Sequence, residues 1–234
     1  MRIVVNHLTR MTGSRICVAG IDTETYRHVR PVTSPGELLT RVLLRENGGP
    51  LGAGALVDVG SVTACPCAPE MEDHAFDMKR AKRVSDVDEA AYLELLSALR
   101  AADLDNAFGP ELERVGRTYA VDPGNGDSSL AVLRAESRPV LEINVNGYGL
   151  RLWYNDAEPP AYLSVKDARL FEDDNETIKT SAVEDVNRRL RRGVDAFLML
   201  GLTRPWLKPG EAYKRHWLQL NGLCLADRAV GDLP

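Results

Sequence analysis

Arg15, Tyr26, His28 and Arg30 fall within one short stretch, RICVAGIDTETYRHVRPVT (residues 15–33), with Arg10 just ahead of it. Alternate side chains of a strand share a face. A strand over residues 26–32 would therefore present the Tyr26 phenol, the His28 imidazole and the Arg30 guanidinium together. Those groups stack on bases and bind phosphate oxygens. The same alternation also describes the solvated face of a one-sided antiparallel sheet, so both readings stand. A second basic group, NRRLRRG at residues 187–193, places Arg188, Arg189, Arg191 and Arg192 near a helix C-terminus. The helix dipole favours cations there in any case; contacts to phosphates are the alternative. The third group, TRPWLKPGEAYKRHW at residues 203–217, interleaves Arg204, Lys208, Lys214 and Arg215 with Trp206, Tyr213 and Trp217. Such interleaving suits a single-stranded polymer, because each stacked base contributes about 1–3 kcal/mol. A loop whose tryptophans plug the ends of a small barrel would have the same composition.

Other reactive side chains form weaker patterns. Cys65 and Cys67, one residue apart, together with His74 fall short of the four ligands of a structural zinc. The acidic set Glu70, Glu72, Asp73 and Asp77 could hold Mg²⁺ beside a phosphate, but reads more simply as a solvated acidic loop. No P-loop, nucleophile elbow, HExxH or dinucleotide fingerprint occurs. The run GGPLGAG is glycine-rich but lacks the strand-then-helix context of a phosphate cradle. The sequence thus assigns no catalytic residue, no metal site and no cofactor.

The elements that must carry these residues follow from patterning. With 44% hydrophobic and 27% charged residues in 234, an ordinary core is expected. A formal net charge of −5 excludes a global basic field, so any recognition of a polyanion must be local. Four irregularly spaced cysteines do not form a disulfide framework, and no signal-peptide or membrane-spanning run is evident. A soluble, cytoplasmic protein is expected.

Short β-rich runs at residues 2–8, 15–22 and 26–32, joined by polar turns, read as an antiparallel meander. Residues 37–46 look helical, and 55–64 resume strand character. A helix is expected over 86–102, capped by Ser85 or Asp86, with Val87, Ala90, Ala91, Leu95, Leu96 and Leu99 at helical spacing. VDPGNGDSS (121–129) is the strongest loop signal. Further strands follow, with Asn146-Gly147 as a hairpin turn, a short basic helix over 181–192, and two closing strands. Two halves, 1–122 and 128–234, would each carry four or five strands and one helix. The expected class is mainly β with added helices, arranged as two tandem OB-like small β-barrels.

The opening RIVVNHLTRMTGSRICVAGID followed by YRHVRPVT resembles that of the dual OB-containing bacterial domain. Arg15, Cys17, Ala19, Gly20, Ile21, Arg30, Pro31 and Val32 carry the likeness. APEMEDH (68–74), LSVKDARL and the LGLTRPW…HWLQLNGLCL run are similar to later parts of the same pattern. The resemblance implies binding of nucleic acid or nucleotides, often beside bacterial conflict systems.

Taken together, the expectation is a non-catalytic module for single-stranded DNA or RNA within a bacterial defence or repair system. Its binding residues would be Arg10, Arg15, Tyr26, His28, Arg30, Arg188, Arg189, Arg204, Trp206, Lys214, Arg215 and Trp217. Two alternatives stand beside it. One is a scaffold subunit that docks a neighbour-encoded protein partner, and the other is a nucleotide sensor holding its ligand between the barrels.

Overall fold

The computed structural model describes residues 1–33, 39–145 and 149–230. Fifteen strands in these residues form two sheets, with three α-helices. The first sheet contains β1 (Arg2–Arg10), β2 (Ile16–Asp22), β3 (His28–Val32), β4 (Ala55–Asp58), β5 (Val62–Ala64), β6 (Asp73–Phe76) and β7 (Lys82–Asp86). Its order is β5-β6-β3-β2-β1-β4-β7. The second is built from β10 (Leu130–Arg134), β11 (Val140–Ile143), β12 (Leu150–Tyr154), β13 (Ala161–Val165), β14 (Ala196–Leu202) and β15 (His216–Leu225), in the order β10-β14-β15-β13-β12-β11. β8 (Glu113–Val115) and β9 (Thr118–Val121) form a hairpin that joins this sheet through β9 and β15.

The protein is therefore mainly β with added helices, as expected. Among the described residues neither sheet closes on itself: the end strands of each remain unpaired with one another. Two open sheets replace the two closed barrels of the expectation.

Strand β1 determines what the two sheets present to each other. Its Ile3, Val5 and Leu8 enter a core with Ile16, Val18, Val29 and Val57. Alternation from Ile3 and Val5 would send residue 7 into that core as well. Instead the register against β2 slips between Val5 and His7, pairing Val5 with Gly20 and His7 with Ala19. This β-bulge spends Asn6 as the extra residue and turns His7 and Thr9 to the other face. That face looks toward the second sheet, where β1 packs against β15. Gly222 makes the approach feasible, since a Cβ there would lie 3.1 Å from the Asn6 carbonyl oxygen.

Helix α1 (Glu89–Leu99) wedges between the sheets. Tyr92 and Leu96, both fully buried, join Val4 and Ile21 of the first sheet to Val132, Phe197, Met199 and Cys224 of the second. The helix is shorter than the 86–102 expected. Asp88 caps it, accepting from the Ala91 N–H at 2.9 Å, because residues up to Asp86 are paired with β4. At the other end Arg100 bridges to Val132. A second short helix, α2 (Leu104–Phe108), and the basic helix α3 (Thr180–Arg191) both belong to the second core. In place of an α-helix over 37–46 stand two 3-10 turns, Arg41–Leu43 and Arg45–Asn47; residues 34–38 of the sequence reading lie outside the described residues. The Asn146-Gly147 turn also lies outside them.

Two polar clamps hold the sheets together. Residues 70–73 are not the solvated acidic loop of the sequence reading: Glu70, Glu72 and Asp73 are each at most 7% exposed. Glu72 accepts from Ser128 Oγ (2.6 Å), Ser129 N (2.9 Å), Ser129 Oγ (2.8 Å) and Leu130 N (3.2 Å). Four donors converging on one carboxylate offset its desolvation. The second clamp is Arg41, buried in the first half. It donates to the carbonyls of Ala168 (3.0 Å) and Phe171 (3.3 Å) and to Asn175 Oδ1 (2.8 Å). Asn175 replies with Nδ2 to the carbonyls of Gly13 (2.6 Å) and Arg15 (2.8 Å).

Candidate functional site

Between the sheets lies a cleft of about 760 Å³. That is the size of a small-molecule or cofactor site. Its first wall is the face of β1–β3 exposed by the bulge: His7, Thr9, Cys17, Ala19 and Arg30. Thr9 and Cys17 are cross-strand partners, as are His7 and Ala19, so the wall is one continuous patch of sheet. The second wall comes from the other sheet, with Lys166 after β13, Leu202, Arg204 and Trp206 after β14, and Gln219 and Asn221 on β15. Asn221 has room to lie there because residue 201 is glycine; a Cβ at Gly201 would overlap the Asn221 amide.

The depth of the cleft is polar and buried. His7 is 1% exposed, and neither ring nitrogen has a hydrogen-bond partner. Arg30, 5% exposed, donates Nε to Asp73 Oδ1 at 2.6 Å and leaves Nη2 without a partner. Such unsatisfied buried groups are rare, and each needs an explanation. His7 meets His28 edge to face, ring centroids 5.5 Å apart, and His28 Nε2 lies 3.4 Å from Asn6 Nδ2. Burial holds the His7 imidazole well below its ordinary pKa, with His28 and Arg30 adding to the effect. Burial likewise takes His28 down to about 4. Both rings are neutral at pH 7, each with one donor and one acceptor nitrogen.

Toward solvent the cations divide into two groups. Arg204, about half exposed, pairs with Asp73 and, at 3.1 Å, with Glu70. The charges of Arg30 and Arg204 are thus matched by those of Asp73 and Glu70. Arg10 stacks over the Phe171 ring at 3.9 Å, donates Nη1 to the Asn175 carbonyl, and has an unpartnered Nε. Lys166 has no carboxylate in ion-pair reach among the described residues. Burial first, then Arg10, lowers its ammonium to about 8.

Of the residues expected to bind, Arg10, Arg30, Arg204 and Trp206 line this cleft. The others lie elsewhere. Arg15 is exposed beside it. Tyr26 precedes β3 in a turn at φ 55°, so strand alternation does not reach it; it stands 59% exposed near α1, beside Val4, Ile21 and Leu95. His28 backs His7 instead of facing outward. Arg188 pairs with Asp185 on the surface, and Arg189, only 9% exposed, is occupied by Asp185 and Asp227. The Arg189 guanidinium thus already has two carboxylates. Lys214 is exposed, while Arg215 pairs with Asp122 (3.1 Å) and Glu113 (3.5 Å). Trp217 is 5% exposed, with Lys208 over its ring at 4.6 Å.

Sequence reasoning missed His7, Lys166, Gln219 and Asn221. One signal was present, because Asn6 and His7 interrupt an otherwise apolar strand. Also missed was a solvent-facing patch on β12 and β13. Trp153 and Tyr162 are cross-strand partners in T-shaped contact at 5.8 Å. Arg117 lies 5.8 Å from the Trp153 ring and Arg151 4.5 Å from the Tyr162 ring.

Among the described residues no group of three or more His, Cys, Asp or Glu is placed to hold a metal, and no helix is long and apolar enough to cross a membrane. No curated protein and no solved structure matches the chain. One family model does, the Dual OB-containing domain, over residues 1–222. With the opening motif on β1–β3, two sheets in tandem and nearly the whole chain matched, this protein belongs to the dual OB-containing domain family.

Proposed function

We propose that the protein is a nucleotide-binding module without catalysis of its own, taking a phosphorylated nucleotide, free or at the end of a single strand, into the inter-sheet cleft. One observation carries the reading. His7 is almost wholly buried in the wall of a ligand-sized cleft, yet both its ring nitrogens lack partners. A buried polar group without a partner costs about 1–3 kcal/mol, and a ligand's hydrogen bonds would remove that cost. Arg10 and Lys166 supply the positive charge that a phosphate needs, and Trp206, 44% exposed, supplies an aromatic face at the rim.

A second reading has its own observation, the Trp153–Tyr162 pair with a guanidinium near each ring. A single strand lying along β12 and β13 would stack on these rings. The resemblance extends either reading to a part in a bacterial defence or repair system, which co-purification with neighbour-encoded proteins would examine.

The deciding experiment is a titration at low and moderate salt of labelled mononucleotides and of single-stranded DNA and RNA. It compares wild type with Arg10→Ala/Lys166→Ala and with Trp153→Ala/Tyr162→Ala. Binding lost in the cleft variant supports the first reading, and binding lost only in the sheet-face variant supports the second. No binding by wild type at low salt, where charge is least screened, refutes both and favours a protein partner.

A further inference from the structure

The charges in the cleft are unevenly distributed, and this distinguishes its floor from its rim. At the floor, Arg30 pairs with Asp73, and Arg204, half exposed above it, pairs with Asp73 and Glu70. Two positive and two negative charges within hydrogen-bonding distance leave almost no net field to draw an anion inward. What the floor offers is directional hydrogen bonding. Arg30 Nη2 is unpartnered, and neutral His7 presents one N–H and one lone pair. Gln219 Nε2 donates to Asn221 Oδ1 at 2.7 Å, and the Asn221 amide nitrogen packs against Gly201. At the unpartnered atoms of His7 and Arg30, donors outnumber acceptors.

The rim is different. Lys166 has no carboxylate partner among the described residues, and Arg10 has an unused Nε. Glu176 is the acidic side chain among the cleft-lining residues, and it acts on Arg10 together with Asp174. Among the described residues neither carboxylate comes within ion-pair distance of Arg10 or Lys166, so these two, and not Arg30 beside His7, are the cleft's cations without a contacting carboxylate.

Resting on the nucleotide reading above, we infer that the ligand enters base first: an uncharged, carbonyl-bearing ring meets His7 and Arg30 at the floor, and its phosphate stays at the rim on Arg10 and Lys166. The donor excess selects keto bases, as in guanine, uracil or thymine, over the amino-substituted edges of adenine and cytosine. The orientation also separates what each residue controls. His7 determines which base is accepted, and Lys166 determines whether a phosphate is required.

Calorimetric titration of the full chain with GMP, UMP, AMP, CMP, guanosine and inorganic phosphate tests this. Wild type should bind GMP and UMP at least about tenfold more tightly than AMP and CMP, the discrimination that one well-placed hydrogen-bonded edge confers. Inorganic phosphate should compete poorly. His7→Phe, close in size, should erase the preference among bases while GMP still binds more tightly than guanosine. Lys166→Met, which leaves the floor untouched, should instead erase the difference between GMP and guanosine and keep the base preference. The orientation is overturned if phosphate alone competes as well as GMP, or if nucleotides bind wild type and His7→Phe alike. If no nucleotide binds wild type, the nucleotide reading itself fails. GMP compared with a 5′-phosphorylated oligonucleotide ending in G separates the free ligand from the strand end.

Discussion

Arg30 and Asp73 face each other across the parallel β3–β6 pair, their Cα atoms in register and Arg30 Nε 2.6 Å from Asp73 Oδ1. The other oxygen of Asp73 accepts from Arg204 of the second sheet. One carboxylate therefore neutralises a buried cation of its own sheet and ties it to the neighbouring one.

Removing that carboxylate leaves the buried Arg30 without its counter-ion. Asp73→Ala should lower unfolding free energy by about 3–5 kcal/mol, the usual result of leaving one partner of a buried ion pair uncompensated. Arg204→Ala, whose side chain is about half exposed, should cost less. Urea denaturation of both variants checks the order, and equal losses would contradict it.

Glu72 carries the second junction on the same segment, through four hydrogen bonds to residues 128–130. Glu72→Gln keeps the shape but removes the charge, and an amide nitrogen in place of Oε2 no longer accepts from the Ser129 hydroxyl. A loss of about 1–3 kcal/mol is expected. Faster hydrogen exchange should appear at the start of β10, with α3 unchanged.

How much of this was legible in the residues varies with the distance between partners. The meander at the N-terminus, the mainly β class and the existence of α1 and α3 follow from short-range patterning, and all are present. Arg30 was also legible as a special residue, although not as a buried one. Its partner lies 43 positions away, and the Arg204–Asp73 link spans 131. Nothing local tells a solvated PEMED from one whose carboxylates enter another sheet. Tyr26 shows the opposite failure, since alternation was extended two residues beyond the start of β3 into a turn with positive φ.

The two histidines make stability depend on pH. His28 is held at about 4 against 6.5, and His7 is lowered too, both mainly by burial. A depressed value in the folded state means that the unfolded chain takes up protons first as the pH falls. The contribution of His28 is complete above about 6.5 and is lost progressively down toward 4, and that of His7 falls in the same direction. The urea midpoint should fall over that window in wild type and fall less in His28→Gln; identical pH profiles would count against the assignment.

Lys166 gives ligand binding the opposite slope. Its ammonium, lowered to about 8, is charged at neutral pH and discharges on the alkaline side. Affinity for a phosphate-bearing ligand should decline as the pH rises above 8, and Lys166→Arg should remove the decline. Titrations at pH 7 and pH 9 suffice to check this.

Three tryptophans report on three different places. Trp206 is 44% exposed at the cleft, Trp153 lies on the sheet face, and Trp217 is buried. Occupation of the cleft should quench fluorescence in wild type and in Trp153→Phe, but not in Trp206→Phe.

Strand β15 follows every other strand in the chain, yet it lies inside its sheet, paired with β14, β13 and β9. During vectorial synthesis β14 and β13 must wait, without the strand that separates them, until residues 216–225 emerge. Loop closure over roughly a hundred residues, from Ala120 to Trp217, comes late and slowly. The nascent chain thus passes through a stage in which the first sheet can be complete while the second still exposes unpaired edges, the kind of intermediate that recruits chaperones.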